Sequence, residues 1–175
     1  MREVSSSNEV QASRPTKIQV AILLDTSGSM SGLINQAKSR LWNIVNTLTT
    51  LKYKGKAPMI EIALYDYGSH RIENRDYIRQ VTPLTTDLDL ISEKLFALTI
   101  GGSEENCGTV ISDAVKVLEW GNNEADMKLI YIAGNEEFTQ GRISYKTAIQ
   151  NALNKNIYVN TIHCGNEETG IRDLW

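Results

Sequence analysis

The segment Lys17-Ile18-Gln19-Val20-Ala21-Ile22-Leu23-Leu24 ends at Asp25 and passes at once into the polar loop Thr26-Ser27-Gly28-Ser29-Met30-Ser31-Gly32. A near-continuous apolar run rich in β-branched residues fits a strand covered on both faces, as a central strand of a parallel sheet is. Beyond the loop, Leu33, Ala37, Leu41, Ile44, Val45 and Leu48 recur at helical spacing. That spacing predicts an amphipathic helix over 33–51.

The same alternation continues outward. Met59 to Tyr65 reads as a second strand, and Ile78 to Val81 as a short edge strand stopped by a turn at Pro83. Thr86, with Asp89 three residues on, reads as the capping box of a helix from about Asp87 to Leu98. A helix carrying Val110, Ile111, Ala114, Val115 and Leu118 follows the loop Gly101 to Asn106. Leu129 to Ala133 is a strand, Ser144 to Asn154 a helix, and Ile157 to His163 the last strand. Strands alternating with helices of this length predict an α/β, doubly wound, mostly parallel sheet with helices on both faces and one short antiparallel edge strand. In such sheets ligands sit outside the carboxyl ends of the strands. Attention therefore falls on loops 25–32, 66–70, 134–141 and 163–170, with 101–107 reaching the same rim.

At 175 residues the chain fits one domain over 17–175, after a lead-in at 1–16 without periodic pattern. A hydrophobic share of 41% supports a sizeable core, and 22% charged residues argue against wholesale disorder. The net charge is −3 and no Lys/Arg cluster stands out, which argues against nucleic acid as the partner. No apolar run approaches the ~20 residues of a membrane span, and the polar start lacks the apolar core of a signal peptide.

Asp25, Ser27 and Ser29 set a carboxylate and two hydroxyls, spaced by two, in a tight glycine-bearing turn. Alternate side chains of such a loop can converge on one point, and their oxygens are hard ligands suited to Mg²⁺ or Mn²⁺. The competing reading is that Asp25 and Ser27 only cap the next helix.

Asp25-Thr26-Ser27-Gly28-Ser29, with the strand Val20 to Leu24 before it and Met30 after it, resembles Asp-x-Ser-x-Ser. This is the first motif of the metal-ion-dependent adhesion site in von Willebrand factor type A domains and integrin I domains. The resemblance extends over about 17–165 in strand order. It implies a non-enzymatic, monomeric protein-binding module of bacterial look, in which a partner's Asp or Glu completes the coordination of Mg²⁺ or Mn²⁺. It also favours an extracytoplasmic location over a cytoplasmic one. The family usually adds a Thr and then an Asp from two further loops. Here Glu104 stands at the Thr position, as in a bacterial subset, with Thr109 as the fallback for a longer loop. Asn135 stands at the Asp position, and the charge it lacks would be restored by Glu104. The resemblance further makes Phe138, Glu136 and His70 candidate partner contacts on the rim. Family domains usually continue with another strand and helix after the equivalent of Ile162, so the expectation is either a sheet of about five strands or a C-terminally truncated domain.

Two other readings stay open. The domain is a scaffold within a larger assembly, with a weak metal site, or it is a metal-dependent phosphohydrolase. Against the latter, haloacid dehalogenase-type phosphatases need a second Asp two residues after the first, and Ser27 stands there. Gly28-Ser29-Met30-Ser31-Gly32 has Met at the nucleophile position of a hydrolase elbow. No glycine-rich phosphate loop is present. Cys107 and Cys164 are expected as free thiols, although both fall near the same rim.

Overall fold

A computed structural model describes residues 16–52, 55–104, 106–172 and 175; nearly all of the predicted lead-in lies outside them. In chain order the elements are β1 (Lys17–Asp25), α1 (Ile34–Thr49), β2 (Met59–Tyr67), β3 (Ile78–Thr85), α2 (Leu88–Ala97), α3 (Cys107–Val117), β4 (Met127–Gly134), α4 (Tyr145–Leu153), β5 (Ile157–His163) and α5 (Glu167–Arg172). A single 3₁₀ turn, Gly28–Met30, sits between β1 and α1.

The described residues form a five-stranded sheet ordered β3-β2-β1-β4-β5. β1 pairs in parallel with β2 and β4, and β4 with β5, while β3 runs antiparallel along β2. The apolar continuity of β1 follows from its place at the centre. Ala21 and Leu23 face a core closed by α3 and α4, including Val110, Ile111, Ala114, Ala148 and Ala152. Val20, Ile22 and Leu24 face a second core closed by α1 and α2 through Leu41, Val45, Ile91 and Leu95. With both faces covered, no polar residue is tolerated at either parity over most of the strand.

Three details differ from expectation. β3 continues past Pro83 to Thr85. Proline is harmless there because β3 is an edge strand, and its register against β2 shifts on either side of Leu64. The Leu64 N–H is instead taken by the Thr82 hydroxyl at 3.1 Å. The cap of α2 is Asp87, not Thr86: its carboxylate accepts from the Leu90 N–H at 2.9 Å, and carboxylates rank above threonine hydroxyls as caps. The unanticipated α5 is short and carries Gly170, so its periodic signal is weak.

A buried lysine joins the helices of one layer. Lys38 on α1 donates to the carbonyls of Leu98 (2.6 Å) and Phe96 (3.2 Å) at the end of α2. It satisfies carbonyls that the helix leaves unpaired. Among the described residues no helix is long and apolar enough to cross a membrane.

Candidate metal centre at the carboxyl ends of the strands

Asp25 is the last residue of β1 and is 1% exposed. Its Oδ1 accepts from the Ser27 N–H at 2.7 Å, and the Ser27 hydroxyl and Asn135 N–H also donate to the carboxylate. Burial nevertheless pushes its pKa up to about 6, outweighing those bonds, and the negative charge of Glu136 adds to the rise.

The loop after Asp25 is held by backbone bonds to two neighbours. The N–H and hydroxyl of Thr26 both donate to the Tyr67 carbonyl at the end of β2 (2.8 and 3.0 Å). From the 101–104 loop, the Gly101 N–H donates to Thr26 O at 2.9 Å, and Gly102 O accepts from the Gly28 N–H at 2.7 Å. The close approach needs two glycines of positive φ. Gly68 (φ +86°) would place a Cβ 2.6 Å from Glu104 O and 3.1 Å from Asp25 Oδ1. Gly102 (φ +113°) would place one 2.4 Å from Gly68 O. Sequence reasoning misses Gly68, whose only signal is its place directly after the strand end Tyr67.

Held this way, the polar side chains converge. The Ser27 and Ser29 hydroxyl oxygens are 2.9 Å apart, and Ser29 Oγ donates to Asn135 Oδ1 at 3.0 Å. Asn135 Nδ2 in turn donates to the Ser29 carbonyl at 3.3 Å. Asp25, Ser27, Ser29 and Asn135 thus form one cluster of carboxylate, hydroxyl and amide oxygens contributed by the loops after β1 and β4. The capping reading of Asp25 and Ser27 fails for α1, whose N-cap is Leu33 without a side-chain bond.

The remaining candidates are placed differently. Glu104 is exposed and its backbone carbonyl lies against Gly68, while among the described residues Glu136 is the charge that raises Asp25. Thr109 is buried in α3 beside Gly141 and lines a polar groove with Asp76, Asp113 and Arg142. His70 is exposed on the rim, its N–H bonded to Gly101 O at 2.9 Å and its ring tilted against Tyr77. Phe138 is not a rim contact. It is 1% exposed and packs edge-on against Tyr145 (5.2 Å) and Trp175 (4.9 Å). An aromatic ring next to a packed core gains more by burial than it can on a wet loop.

Neither Cys107 nor Cys164 is in a disulfide. Burial pushes Cys164 up to about 11, helped by the charge of Asp25, so this thiol is protonated at neutral pH.

The hard oxygen donors fit a divalent cation: one carboxylate, two hydroxyls and an amide oxygen, with Ser29 exposed at the rim. Among the described residues no group of three or more His, Cys, Asp or Glu is arranged to hold a metal, so a cation here would rely on the hydroxyls.

Comparison with known proteins agrees with this architecture. Among solved structures, proximal thread matrix protein 1 from the mussel byssus, in a form with a zinc-occupied MIDAS motif, superposes with a TM-score of 0.64 at 13% identity, over 85% of this chain and 38% of that one. An aerotolerance-related membrane protein from Bacteroides fragilis gives 0.57 at 16% identity, over 85% and 68%. The pilus adhesin SpaC from Lactobacillus rhamnosus GG gives 0.60 at 12% identity, over 86% and 24%. This chain therefore spans well under half the length of the mussel protein, and at these identities the likeness speaks for the fold alone. No curated protein sequence matches. The family model of the von Willebrand factor type A domain matches residues 19–170, from early in β1 into α5. With the sheet order, the Asp25-x-Ser27-x-Ser29 loop and that match in agreement, the chain belongs to the von Willebrand factor type A domain family.

Proposed function

We propose that this domain is a non-enzymatic binding module that holds Mg²⁺ or Mn²⁺ at Asp25, Ser27, Ser29 and Asn135 and, through the ion, a carboxylate of a protein partner. The convergence of Ser27 Oγ, Ser29 Oγ and Asn135 Oδ1 within 3.0 Å links, beside the Asp25 carboxylate, carries this reading. Domains of this family typically mediate protein interactions through a metal-ion-dependent adhesion site, and one structural neighbour is named for a zinc-occupied one. Among the four proposed ligands only Asp25 brings charge, so a divalent ion keeps a formal charge of +1 and attracts an anionic oxygen from outside. His70 on the rim and the half-buried Glu136 would flank that oxygen. The membrane protein and the pilus adhesin among the neighbours favour a place outside the cytoplasm.

A second reading, that the domain is a scaffold with a weak site, is favoured by the reciprocal Ser29–Asn135 bonds, which join the two loops without an ion. Calorimetric titration with Mg²⁺ or Mn²⁺ separates the two. Saturable binding that disappears in Asp25→Ala and tightens when a carboxylate peptide is present supports the adhesion-type site. Absence of heat at millimolar cation supports the scaffold.

A further inference from the structure

One aromatic side chain braces the loop that carries Asn135. The Trp175 indole N–H donates to the Glu136 carbonyl at 2.5 Å. The ring edge lies against Gly134, where any Cβ would stand 2.8 Å from the indole. The ring also packs edge-on against Phe138 (4.9 Å) and tilted against His163 (6.0 Å). These contacts bracket Asn135 on both sides, with Gly134 before it and Glu136 and Phe138 after it. The indole is itself anchored from behind. The Trp175 backbone N–H donates to Gly170 O at 3.1 Å, and Gly170 of α5 sits on the His163 ring, 2.8 Å from where its Cβ would be. His163 Nε2 shares a 3.0 Å bond with the Thr169 hydroxyl of the same helix.

We propose that Trp175 is a positioning residue for the cation site, setting where the Asn135 amide oxygen stands relative to Ser29 and Asp25. The physical reason lies in the amide. A carboxylate at position 135 would be drawn to a cation by its own charge, whereas a neutral amide gains little from the ion and must already be in place. Outer partners that orient ligands in this way govern metal affinity. The indole bond to Glu136 O and the ring against Gly134 supply that placement, and the 3.0 Å Ser29–Asn135 contact is its result. The coupling is reciprocal: a bound cation tightens the seat of Trp175, and whatever moves Trp175 weakens the cation. This rests on Asp25, Ser27, Ser29 and Asn135 being the cation site.

Mg²⁺ titration of wild type, Trp175→Phe and Trp175→Phe/Asn135→Asp, followed by calorimetry and by amide and indole N–H resonances, tests it. Trp175→Phe keeps a ring in place and removes the donor. Its Kd for Mg²⁺ should rise roughly tenfold, with the Asn135 side-chain NH₂ resonances displaced in the metal-free protein. In wild type the Trp175 indole resonance should move on Mg²⁺ addition. In the Asn135→Asp background the same substitution should change Kd little, because a carboxylate finds the ion by charge. A Trp175→Phe protein that melts lower but binds Mg²⁺ as wild type does overturns the proposal and leaves the cation site standing. If wild type binds no Mg²⁺, the cation site itself falls. Positioning is then judged on the metal-free Asn135 resonances, and these staying in place in Trp175→Phe would overturn it too.

Discussion

At the scale of single residues, Asp25 ties stability to acidity. Its pKa is raised from the ordinary 3.8 to about 6 by burial, so the folded state prefers the protonated form. The sign follows from the direction: the destabilisation is absent below pH 3.8, develops between 3.8 and 6, and is complete above about 6. The full difference amounts to about 3 kcal/mol. Urea unfolding in chelator at pH 5 and pH 7.5 should therefore find Asp25→Asn more stable than wild type at the higher pH, with the gap narrowing at the lower. Divalent cation should reverse that order, since it stabilises only the protein that keeps the carboxylate. Protons compete with the ion in the same interval, so apparent affinity should fall as pH drops below about 6. Asn135→Asp makes a complementary case. A second carboxylate beside Asp25 should lower metal-free stability at pH 7.5 and tighten Mg²⁺ binding by roughly tenfold or more, read in one calorimetric titration.

Between elements, the contact of the loop after β2 with the 101–104 loop decides whether the first motif is shaped to bind. Gly68 and Gly32 both have positive φ, yet only Gly68 is enclosed: a Cβ there would meet Glu104 O at 2.6 Å, while one at Gly32 would meet nothing within 4 Å. Gly68→Ala should cost on the order of 3 kcal/mol and lose cation binding, because the strained backbone also pushes the loops apart. Gly32→Ala should cost about 1 kcal/mol and leave binding intact. Chemical denaturation paired with Mn²⁺ titration reads both quantities, and equal losses of affinity in the two variants would contradict the assignment. Phe138 belongs to this scale as well. As the meeting point of Tyr145 and Trp175 under the β4–α4 loop, its replacement by Ala should cost about 3–5 kcal/mol. A mere partner contact would leave stability unchanged.

For the whole molecule, the site lies at the rim where β1, β2 and β4 end, and its two key loops are joined by the Ser29–Asn135 pair. A ligand there links elements on both sides of the sheet centre, so it should raise global unfolding rather than fraying alone. Cation held at 100 times Kd should add about 2.7 kcal/mol to the folded state, a rise in Tm of several degrees for a domain of this size. A melt in Mg²⁺ against chelator, with Asp25→Ala as control, measures it. The doubly wound, mostly parallel class was legible from the apolar run of β1 and the helical spacing of α1, because periodicity is a local property and a strand covered on both faces announces itself. The convergence of Asp25, Ser27 and Ser29 in one loop was legible for the same reason, since they are spaced within one turn. The fates of Glu104, Phe138 and Trp175 were not local. The first turned on which atom of an exposed loop residue meets Gly68, and the second on a ring finding a core rather than water. The third turned on a residue 39 positions away reaching the Glu136 carbonyl. The alternation of elements, the covered faces of β1 and the spacing of the first candidate loop were thus determined by the sequence itself through short-range pattern. Which further side chains join the candidate site was decided only in the tertiary structure, because it depends on distances between loops that no spacing along the chain encodes.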